Sequence, residues 1–574
     1  MILLFALAIV NDFLTIDLGT EYYKAAKANF KGDPVIINTE GIGVSVPNAI
    51  ACKSSKPIQL PITNESIEDI DIKFDRQFIP RLIARSNTNK LNTTNLITSF
   101  QAFSLSFAHL IERLSITGPI SIVIPHYWTP EQRYVISTVC HFYRIPLSFL
   151  LEDNDVIGVQ YSATRAHRFK DSRGISDARN VLFVDIGGTT SKAYGFHFYI
   201  DGDKAVASEN SYFWSENVGG YWFRKALSDN LNISLKKAEK LLQSESDINK
   251  VVKNIQNVTN GLFNLIKRAA DRANDLSSIS NGSAIQEVQI IGGASKYPFI
   301  LDIVKSATNC SNIKRELNPN EAIALGGVYF SLQSSDSSKF TPSFVYKRPP
   351  SNITLQCQKQ NDYCIRGSKC NRIIYEYESK GCDHVLLYSD DASTPEGLSP
   401  IISTTNLVNI SNITYEEGES GYGKFEMSPS SLSIQSIEWC KSKDGYYDSS
   451  NVCYPIKFKK NYGFEKEYRE QAKLVIEYWR IEKKRQEKSK ILVQINDLMI
   501  RLDSFFSKLE KGKVEAAVHV TDQQKETYND LSTKYYKGKM SSLSYEYLNQ
   551  TYYEIKNLAK SLKMRLSDEN NDEL

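Results

Sequence analysis

Two segments of the chain, about 170 residues apart, repeat one pattern, and this repeat constrains the fold more than any other feature. Leu14–Thr20 and Leu182–Thr190 each consist of a hydrophobic strand that ends in Asp and continues into glycine and a hydroxyl residue, before a second strand. A single Asp-x-Gly turn is common. Two such turns in matching strand contexts indicate a pair of equivalent β-hairpins.

Hairpin turns of this kind are suited to binding phosphate. Glycine lets the backbone approach an anion closely, and successive N–H groups in the turn form an anion-binding nest to which hydroxyl groups add donors. The carboxylates of Asp17 and Asp185 are expected to face each other across a cleft and to hold a hydrated divalent cation. The residues predicted to hold phosphates and the metal-bound water are Asp17, Gly19, Thr20, Asp185, Gly187, Gly188, Thr189 and Thr190.

A third glycine motif follows another predicted strand. Gly292–Ser295 comes directly after Val288–Ile291, and Pro298 opens a predicted helix. A Gly-Gly pair after a strand lets a flat base or a ribose lie against the backbone. The residues predicted to contact a nucleoside are Gly292, Gly293 and Ser295.

The region up to about residue 333 alternates strands and helices, which indicates an α/β fold. Ser121–Ile124, Val181–Asp185 and Glu287–Ile291 are predicted strands, and Pro130 stands at the first position of a predicted helix. Apolar residues recur at helical spacing from Val251 to Ala273, which predicts one face of a long helix.

The composition changes after residue 333, where Ser334–Ser338 reads as a linker. Short β-type runs then alternate with turn residues, so we predict an all-β module over residues 341–457. The runs include Ser343–Tyr346, Ile373–Tyr377 and His384–Tyr388.

Residues 462–566 are charged and almost free of Pro and Gly, which predicts a helical domain. Glu465–Lys511 is expected to form one very long helix or a hairpin of two. An amphipathic seam runs along it, formed by Ile495, Leu498, Leu502, Phe505 and Leu509.

Six of the nine cysteines cluster in the predicted β module: Cys357, Cys364, Cys370, Cys382, Cys440 and Cys453. The spacing lacks the Cys-x2-Cys pairs of zinc sites, and His384 is the one histidine of the region, which argues against a metal. We predict disulfides whose connectivity the sequence leaves open. The scattered cysteines are interpreted as small buried hydrophobic residues: Cys52, Cys140 and Cys310.

The two ends of the sequence bear on the compartment. Residues 1–12 are predicted to be a secretory signal peptide, because Met1–Val10 is apolar with small residues at Ala6 and Ala8; a first buried strand is the alternative. Asn571–Leu574 ends in Asp-Glu-Leu, the core of an endoplasmic-reticulum retrieval address. Together they predict residence in the lumen of the endoplasmic reticulum. Several Asn-x-Ser/Thr sequons permit glycosylation there.

The composition excludes other classes of protein. Hydrophobic residues make up 41% and charged residues 24%, as is ordinary for a soluble globular chain. A net charge of +3 is too small to indicate a nucleic-acid partner. No apolar run reaches the ~18 residues of a membrane-spanning helix, so we expect no membrane span.

The order of the motifs carries a family resemblance: Asp17–Thr20, Asp185–Thr190, Val218–Gly220, Ile291–Pro298 and Asn318–Ala322. This series closely resembles the 70-kilodalton heat-shock protein family. Up to Phe330 the resemblance rests on specific motifs, and beyond Phe330 it rests only on the domain architecture. Glu21 and Glu152–Asp155 resemble the large, divergent endoplasmic-reticulum branch of that family, the hypoxia-upregulated or 170-kilodalton glucose-regulated type.

The resemblance implies an actin-like, two-lobed nucleotide-binding domain over residues 13–333, a disulfide-rich β-sandwich that binds substrate over 341–457 and a helical lid over 462–566. It implies ATP or ADP with Mg²⁺ as cofactors, the metal being held through water by Asp17 and Asp185. It places Asp17, Asp185 and Asp153 at catalytic positions and adds Gly219 and Gly220 to the cofactor-binding residues. The implied partners are unfolded secretory polypeptides and an ordinary lumenal heat-shock 70 chaperone.

The sequence departs from the family pattern at positions that matter for catalysis. Pro80 stands where ordinary members carry a catalytic Lys; proline supplies neither charge nor donor, although Arg81 is adjacent. Asp153 replaces a Glu, and Lys192 stands where an Asp is expected. The subdomain after the second hairpin is shortened, and Lys236–Lys240 is interpreted as the remnant of the family's adenine-binding helix.

We therefore expect a lumenal, ATP-binding chaperone that assists the folding of secretory proteins, with weak or absent ATP hydrolysis. One alternative is a non-hydrolysing nucleotide-exchange factor or holdase for an ordinary lumenal heat-shock 70 chaperone, which Pro80 favours. The other is an actin-fold sugar kinase, against which the appended β and helical modules argue.

Overall fold

The computed structural model describes most of the chain between residues 14 and 562. The described residues are 14–29, 32–38, 44–48, 51–53, 56–58, 99–114, 118–128, 130–169, 177–244, 248–279, 284–334, 343–346, the strands between 353 and 461, 465–511, 520–537 and 543–562. The predicted signal peptide, the segment with Pro80 and Arg81, and the C-terminal tetrapeptide lie outside them.

The first mixed sheet contains the first predicted hairpin. Along the chain come β1 (Leu14–Leu18), β2 (Tyr22–Ala28), β3 (Pro34–Ile36), β4 (Val46–Pro47), β5 (Ala51–Lys53), β6 (Lys56–Ile58), α1 (Ser99–Arg113), β7 (Ile120–Ile124), α2 (Pro130–Phe142), β8 (Leu147–Glu152) and α3 (Asp153–Arg165). The strand order is β3-β2-β1-β7-β8, with β4 paired to β2, while β5 and β6 form a separate ribbon.

The second mixed sheet contains the second hairpin. Its region comprises β9 (Arg179–Ile186), β10 (Ser191–Asp201), β11 (Lys204–Ser215), α4 (Gly220–Leu231), α5 (Leu235–Gln243), α6 (Ile248–Asn254), α7 (Gln256–Ile279), β12 (Glu287–Ile291), α8 (Phe299–Thr308), β13 (Ile313–Lys314), α9 (Ala322–Gln333) and β14 (Ser343–Tyr346). The strand order is β13-β12-β9-β10-β11-β14.

The two sheets have the same topology. In the first, an antiparallel hairpin of β1 and β2 continues to β3 on one side, while parallel strands β7 and β8 lie on the other. In the second, β9 and β10 form the hairpin, β11 continues it, and β12 and β13 are the parallel strands. The internal repeat read from the sequence is therefore a repeat of whole α/β units, with the two Asp-x-Gly turns at equivalent places.

Helix α9 connects the second unit back to the first sheet. Ala324, Val328 and Leu332 pack in one apolar cluster with alanines of β2. Gly327 is needed for this contact, because a Cβ there would lie 2.2 Å from Cγ2 of Thr15 on β1. The last helix of the region thereby fixes the first hairpin strand to the end of the second unit.

Two sequence predictions in this region need correction. The strand Ser343–Tyr346, predicted for the β module, pairs in parallel with β11 and so extends the second mixed sheet. The predicted long helix is two helices, α6 and α7, separated at Ile255. Ile255 is itself buried, as are Val251 and Ala273. The interruption keeps the apolar face intact, which is why the residue spacing did not reveal it.

Beyond residue 352 the structure describes two antiparallel sheets, whose strands are described by their backbone. The strands are β15 (Ile353–Cys357), β16 (Gln360–Cys364), β17 (Ile373–Tyr377), β18 (His384–Ser389), β19 (Ile401–Val408), β20 (Glu419–Ser428), β21 (Ser433–Lys443), β22 (Cys453–Pro455) and β23 (Lys457–Asn461). Their orders are β16-β15-β18-β19-β23 and β17-β20-β21-β22. The predicted all-β composition agrees with these strands, while the sandwich itself stays a prediction.

The C-terminal helices are α10 (Glu465–Glu510), α11 (Asp522–Lys537) and α12 (Tyr545–Ser561). Of the two expectations for Glu465–Lys511, the single long helix is correct, because α10 runs unbroken for 46 residues. The predicted seam is buried at Ile495, Leu498 and Leu502, which pack in one apolar cluster with residues of the two shorter helices. Among the described helices, none is both long enough and apolar enough to cross a membrane.

Candidate functional site

The two hairpin turns are equivalent in length and in register. The last paired residues are Leu18 with Tyr23 and Ile186 with Ser191, so four residues form each turn. One pair further back, Asp17 lies opposite Lys24 and Asp185 lies opposite Lys192. Each hairpin thus places a cation directly across from its aspartate, which the sequence comparison of the two Asp-x-Gly turns did not bring out.

The second hairpin turn presents donors on a tight backbone. The N–H group of Gly187 donates to the carbonyl oxygen of Thr190 at 2.9 Å and closes the turn. The side chain of Thr189 is buried, yet its hydroxyl has no hydrogen-bond partner among the described residues. A buried hydroxyl without a partner is costly. An anion at the turn would supply the missing partner.

Gly219 and Gly220 bring helix α4 onto this turn. The N–H groups of Gly220 and Tyr221 donate to the carbonyl oxygens of Gly187 and Gly188 at 3.0 and 2.7 Å. A Cβ at Gly219 would lie 2.8–2.9 Å from backbone atoms of the same turn. The glycine pair therefore allows the close approach of helix and hairpin, and its direct contact with a cofactor stays a prediction.

The third glycine motif lies against the end of β9. Gly292 has φ +90° and donates its N–H to the carbonyl oxygen of Pro319 at 2.8 Å. A Cβ at Gly292 would lie 2.4 Å from Oδ1 of Asp185 and from the carbonyl oxygen of Ile186. Ser295, two residues into the following 3-10 turn, is buried. The second and third predicted motifs are thus brought together at the Asp185 carboxylate.

The first hairpin turn is held by a residue that the sequence did not single out. The side-chain amide of Asn48 donates to the carbonyl oxygen of Gly19 at 3.1 Å, and its backbone N–H donates to that of Glu21 at 2.8 Å. Ser106 on α1 in turn donates to the Asn48 side chain at 3.1 Å. Asn48 lies 29 residues from Gly19, and no local motif marks it.

Glu21 joins the first hairpin to the second unit. Its carboxylate forms an ion pair with Arg224 of α4, and its side chain lies over the second turn, since a Cβ at Gly188 would be 2.6 Å from Cγ of Glu21. Burial alone would lower the pKa of Arg224, but the Glu21 and Glu239 carboxylates raise it above its usual range. Arg224 therefore stays charged and links elements from both repeats.

The same network reaches the third glycine motif through α5. Glu239 pairs with Arg224 at 3.3 Å and with Lys296 at 2.7 Å, and it accepts a hydrogen bond from the Tyr297 hydroxyl at 2.7 Å. Glu239 belongs to the segment interpreted as a remnant of an adenine-binding helix. The structure places that segment beside Gly292–Ser295, where a base was predicted to lie.

Lys192 lies at the centre of a buried cluster of charged side chains. Its Nζ lies 2.6 Å from Oδ2 of Asp153 and 2.8 Å from Oδ2 of Asp185. Burial alone would lower the pKa of this ammonium, but the two carboxylates raise it well above its usual value. The ammonium is therefore protonated at neutral pH, and it forms ion pairs with both aspartates.

Asp153 is fixed by its place at the start of α3. Its Oδ1 accepts hydrogen bonds from the backbone N–H groups of His126 and Asn154 at 3.0 and 2.9 Å, and its Oδ2 faces Lys192. Arg133 supports this corner, because it pairs with Glu152 and donates to the carbonyl oxygen of His126 at 2.8 Å. Both oxygens of Asp153 are thus engaged.

The aspartate of the first hairpin is paired in the same manner. Nζ of Lys24 lies 3.2 Å from Oδ2 of Asp17. Burial raises the pKa of Asp17, while Lys24 and Lys192 oppose this rise and Asp185 adds to it. Asp17 and the Lys192 cluster are therefore close enough to interact electrostatically.

These residues fit a nucleotide better than they fit a hydrated Mg²⁺. A cation held through water by Asp17 and Asp185 is disfavoured by like charge, because an ammonium group lies within 3.2 Å of Oδ2 of each carboxylate. Within the described ranges no group of three or more His, Cys, Asp or Glu side chains is arranged to hold a metal. The glycine turns and the Thr189 hydroxyl, in contrast, are suited to phosphate.

The comparisons with known proteins agree with the motif-based resemblance. Residues 223–332, which run from α4 through most of α9, match the family model described as Hsp70 protein. Hypoxia up-regulated protein 1 of Danio rerio is 21% identical over an alignment of 302 residues, covering 44% of this chain and 30% of the relative. The matched part is thus less than a third of that relative's length. The predicted resemblance to the heat-shock 70 family is confirmed.

Proposed function

We propose that this Hsp70-family chain is a nucleotide-binding chaperone that holds ATP or ADP where its glycine motifs converge and that engages unfolded polypeptides. The observation that carries the proposal is the placement of Gly292 against Asp185, at the base of the second hairpin turn. The second and third motifs meet there, and Glu21 of the first hairpin lies over the second turn, which supports a single site for a nucleotide with a base and phosphates. The Hsp70 match also disfavours the sugar-kinase alternative.

The proposed roles follow from the contacts of each residue. The turn Gly187–Thr190 offers backbone N–H groups and the Thr189 hydroxyl to phosphates. Gly292, Gly293 and Ser295 form the surface proposed for the nucleoside, with Glu239 beside it. In the first hairpin, Gly19 and Thr20 stay the proposed phosphate contacts of the opposite wall.

We expect ATP to bind and its hydrolysis to be very slow or absent. A general base must have an oxygen free to orient the attacking water, and both oxygens of Asp153 are engaged by N–H groups and Lys192. Single-turnover assays with labelled ATP, run beside a binding titration, test this expectation. A binding-defective variant purified in parallel controls for contaminating ATPases. Turnover as fast as that of an ordinary heat-shock 70 protein would refute it.

The engaged Asp153 also favours the second candidate, a nucleotide-exchange factor or holdase that works without turnover. Such a factor would accelerate ADP release from an ordinary lumenal heat-shock 70 chaperone. Stopped-flow release of fluorescent ADP from that chaperone, with and without this protein, separates the two candidates. Faster ADP release supports the exchange-factor function, and an unchanged release rate supports the chaperone function.

We further propose that the protein works in an oxidising lumen, that of the endoplasmic reticulum, on secretory clients. The register between β21 and β22 places Cys440 directly opposite Cys453, and cross-strand neighbours in antiparallel strands are within reach of a disulfide. Of the connectivities open to the cysteine cluster, we expect this pair.

Mass spectrometry of the unreduced protein, expressed through a secretory pathway, tests the disulfide. A peptide linked through Cys440 and Cys453 is the expected result. Cys140 and Cys310 are buried free cysteines and serve as internal controls that alkylate after denaturation. Alkylation of Cys440 and Cys453 to the same extent as these controls would contradict the pairing.

A further inference from the structure

We propose that the ammonium of Lys192 takes the place of a divalent cation in the nucleotide site, so that the protein binds nucleotide without Mg²⁺. The inference rests on the proposed nucleotide-binding function and specifies its cofactor requirement. It replaces the expectation that Asp17 and Asp185 hold a hydrated metal.

The position of Lys192 carries the inference. The residue lies on β10 directly opposite Asp185 of β9, one pair away from the turn proposed to hold phosphates. Its Nζ bridges two carboxylates from different elements, at 2.6 Å from Asp153 at the start of α3 and 2.8 Å from Asp185. A cation that joins two acidic side chains beside a phosphate-binding turn is what a bound metal would supply. Here a side chain of the protein supplies that positive charge.

The charge of the cluster supports the same conclusion. Three aspartates, Asp17, Asp153 and Asp185, are accompanied by two lysines, Lys24 and Lys192, which leaves one net negative charge. Lysine is ordinarily a cation at neutral pH, and two carboxylates lie within 2.8 Å of Nζ of Lys192. A divalent cation entering the cluster would meet a fixed positive charge at close range. Repulsion between like charges is strong at a buried site.

The ammonium also has the donors that the role requires. A lysine ammonium has three N–H groups and no acceptor, so two carboxylates do not exhaust its donors. A phosphate oxygen at the neighbouring turn is a suitable partner, because ammonium–phosphate hydrogen bonds are charge-assisted. Lys192 would then link protein carboxylates to the nucleotide as a hydrated metal does.

The internal repeat provides an independent observation. In the first hairpin, Lys24 lies opposite Asp17 at the register position that Lys192 has in the second, with Nζ 3.2 Å from Oδ2. Both aspartates proposed for metal binding are therefore paired with a cation at the equivalent place. One coincidental lysine would not produce this pattern twice.

The test is a titration of the full-length protein with fluorescent ADP, in excess EDTA and in excess Mg²⁺. The inference predicts dissociation constants that agree within about threefold. Binding that weakens by about tenfold or more in EDTA would overturn the inference and leave the proposed function standing. Absence of binding under both conditions would overturn the proposed function and the inference with it.

Variants of Lys192 sharpen the result. In Lys192→Asp, which restores the acidic residue of the family pattern, binding is expected to become dependent on Mg²⁺ by about tenfold or more. Lys192→Arg keeps the positive charge and is expected to remain independent of Mg²⁺. Lys267→Met, an exposed lysine of α7 paired with Asp271, is the matched control for loss of one lysine. If Lys192→Asp folds and still binds equally in EDTA and Mg²⁺, the inference is overturned. If it does not fold, the wild-type comparison decides.

Discussion

Replacing Gly292 by alanine is expected to weaken nucleotide binding by about tenfold or more and to destabilise the nucleotide domain by about 3 kcal/mol. Two effects add at this position. The backbone has φ +90°, which alanine adopts only with strain. The new Cβ would also lie 2.4 Å from the Asp185 carboxylate and from the carbonyl oxygen of Ile186. The end of β9, where the second and third motifs meet, would have to move.

The chain provides a matched control for this substitution. Gly202, in the turn between β10 and β11, also has positive φ, +62°, but a Cβ there meets no atom within 4 Å. Gly202→Ala is expected to cost about 1 kcal/mol for the backbone conformation alone and to leave nucleotide affinity unchanged. Denaturant unfolding and ADP titration of both variants measure the difference. Equal behaviour of the two variants would contradict the crowding at Gly292.

Replacing Arg224 by alanine is expected to destabilise the domain by about 2 kcal/mol and to loosen the second hairpin turn. Arg224 pairs with Glu21 from the first hairpin and with Glu239 of α5, and all three side chains are mostly buried. Without the guanidinium, two mostly buried carboxylates lose their shared cation. The free energy of unfolding and the hydrogen exchange of residues 187–190 are the measurements.

Lys225 is the control, because it is the next residue on the same helix. Its ion pair with Asp229 is exposed, at 44% and 57% of the two side chains. Exposed pairs of this kind contribute little, so Lys225→Ala is expected to change stability by less than about 0.5 kcal/mol. Adding Glu21→Gln to Arg224→Ala should recover part of the loss, because it removes one of the unpaired charges. If the Arg224 and Lys225 variants have the same free energy of unfolding, the ion pairs of Arg224 do not contribute to stability.

The sequence revealed those parts of the site that local chemistry determines. Strands that end in Asp-x-Gly and a Gly-Gly after a strand are local patterns, and the structure places each where a turn was predicted. The repeat also correctly implied two equivalent hairpins, since the same residues recur in the same order. The sequence also showed that Lys192 departs from the family pattern. It did not show the consequence of this departure, because the strand register that places Lys192 between Asp153 and Asp185 is a property of the fold.

Other features depend on contacts between segments that are distant in sequence, so local sequence patterns could not predict them. Asn48 supports the first turn from 29 residues away, and Arg224 pairs with Glu21 across 203 residues. The strand Ser343–Tyr346 was predicted, but its partner β11 was not, because β-propensity does not specify which sheet a strand joins. The one-residue interruption at Ile255 does not change the helical spacing of the apolar residues, so the spacing does not reveal it.

The two hairpin turns and the third glycine motif are proposed to form one nucleotide site. Hydrogen exchange of the full-length protein with and without ADP, read by mass spectrometry, distinguishes one shared site from separate ones. ADP is expected to slow exchange together in peptides covering residues 14–24, 185–192 and 292–297, with little change in the C-terminal helices. Tight ADP binding that leaves 185–192 and 292–297 unprotected, or that protects only peptides elsewhere, would contradict it.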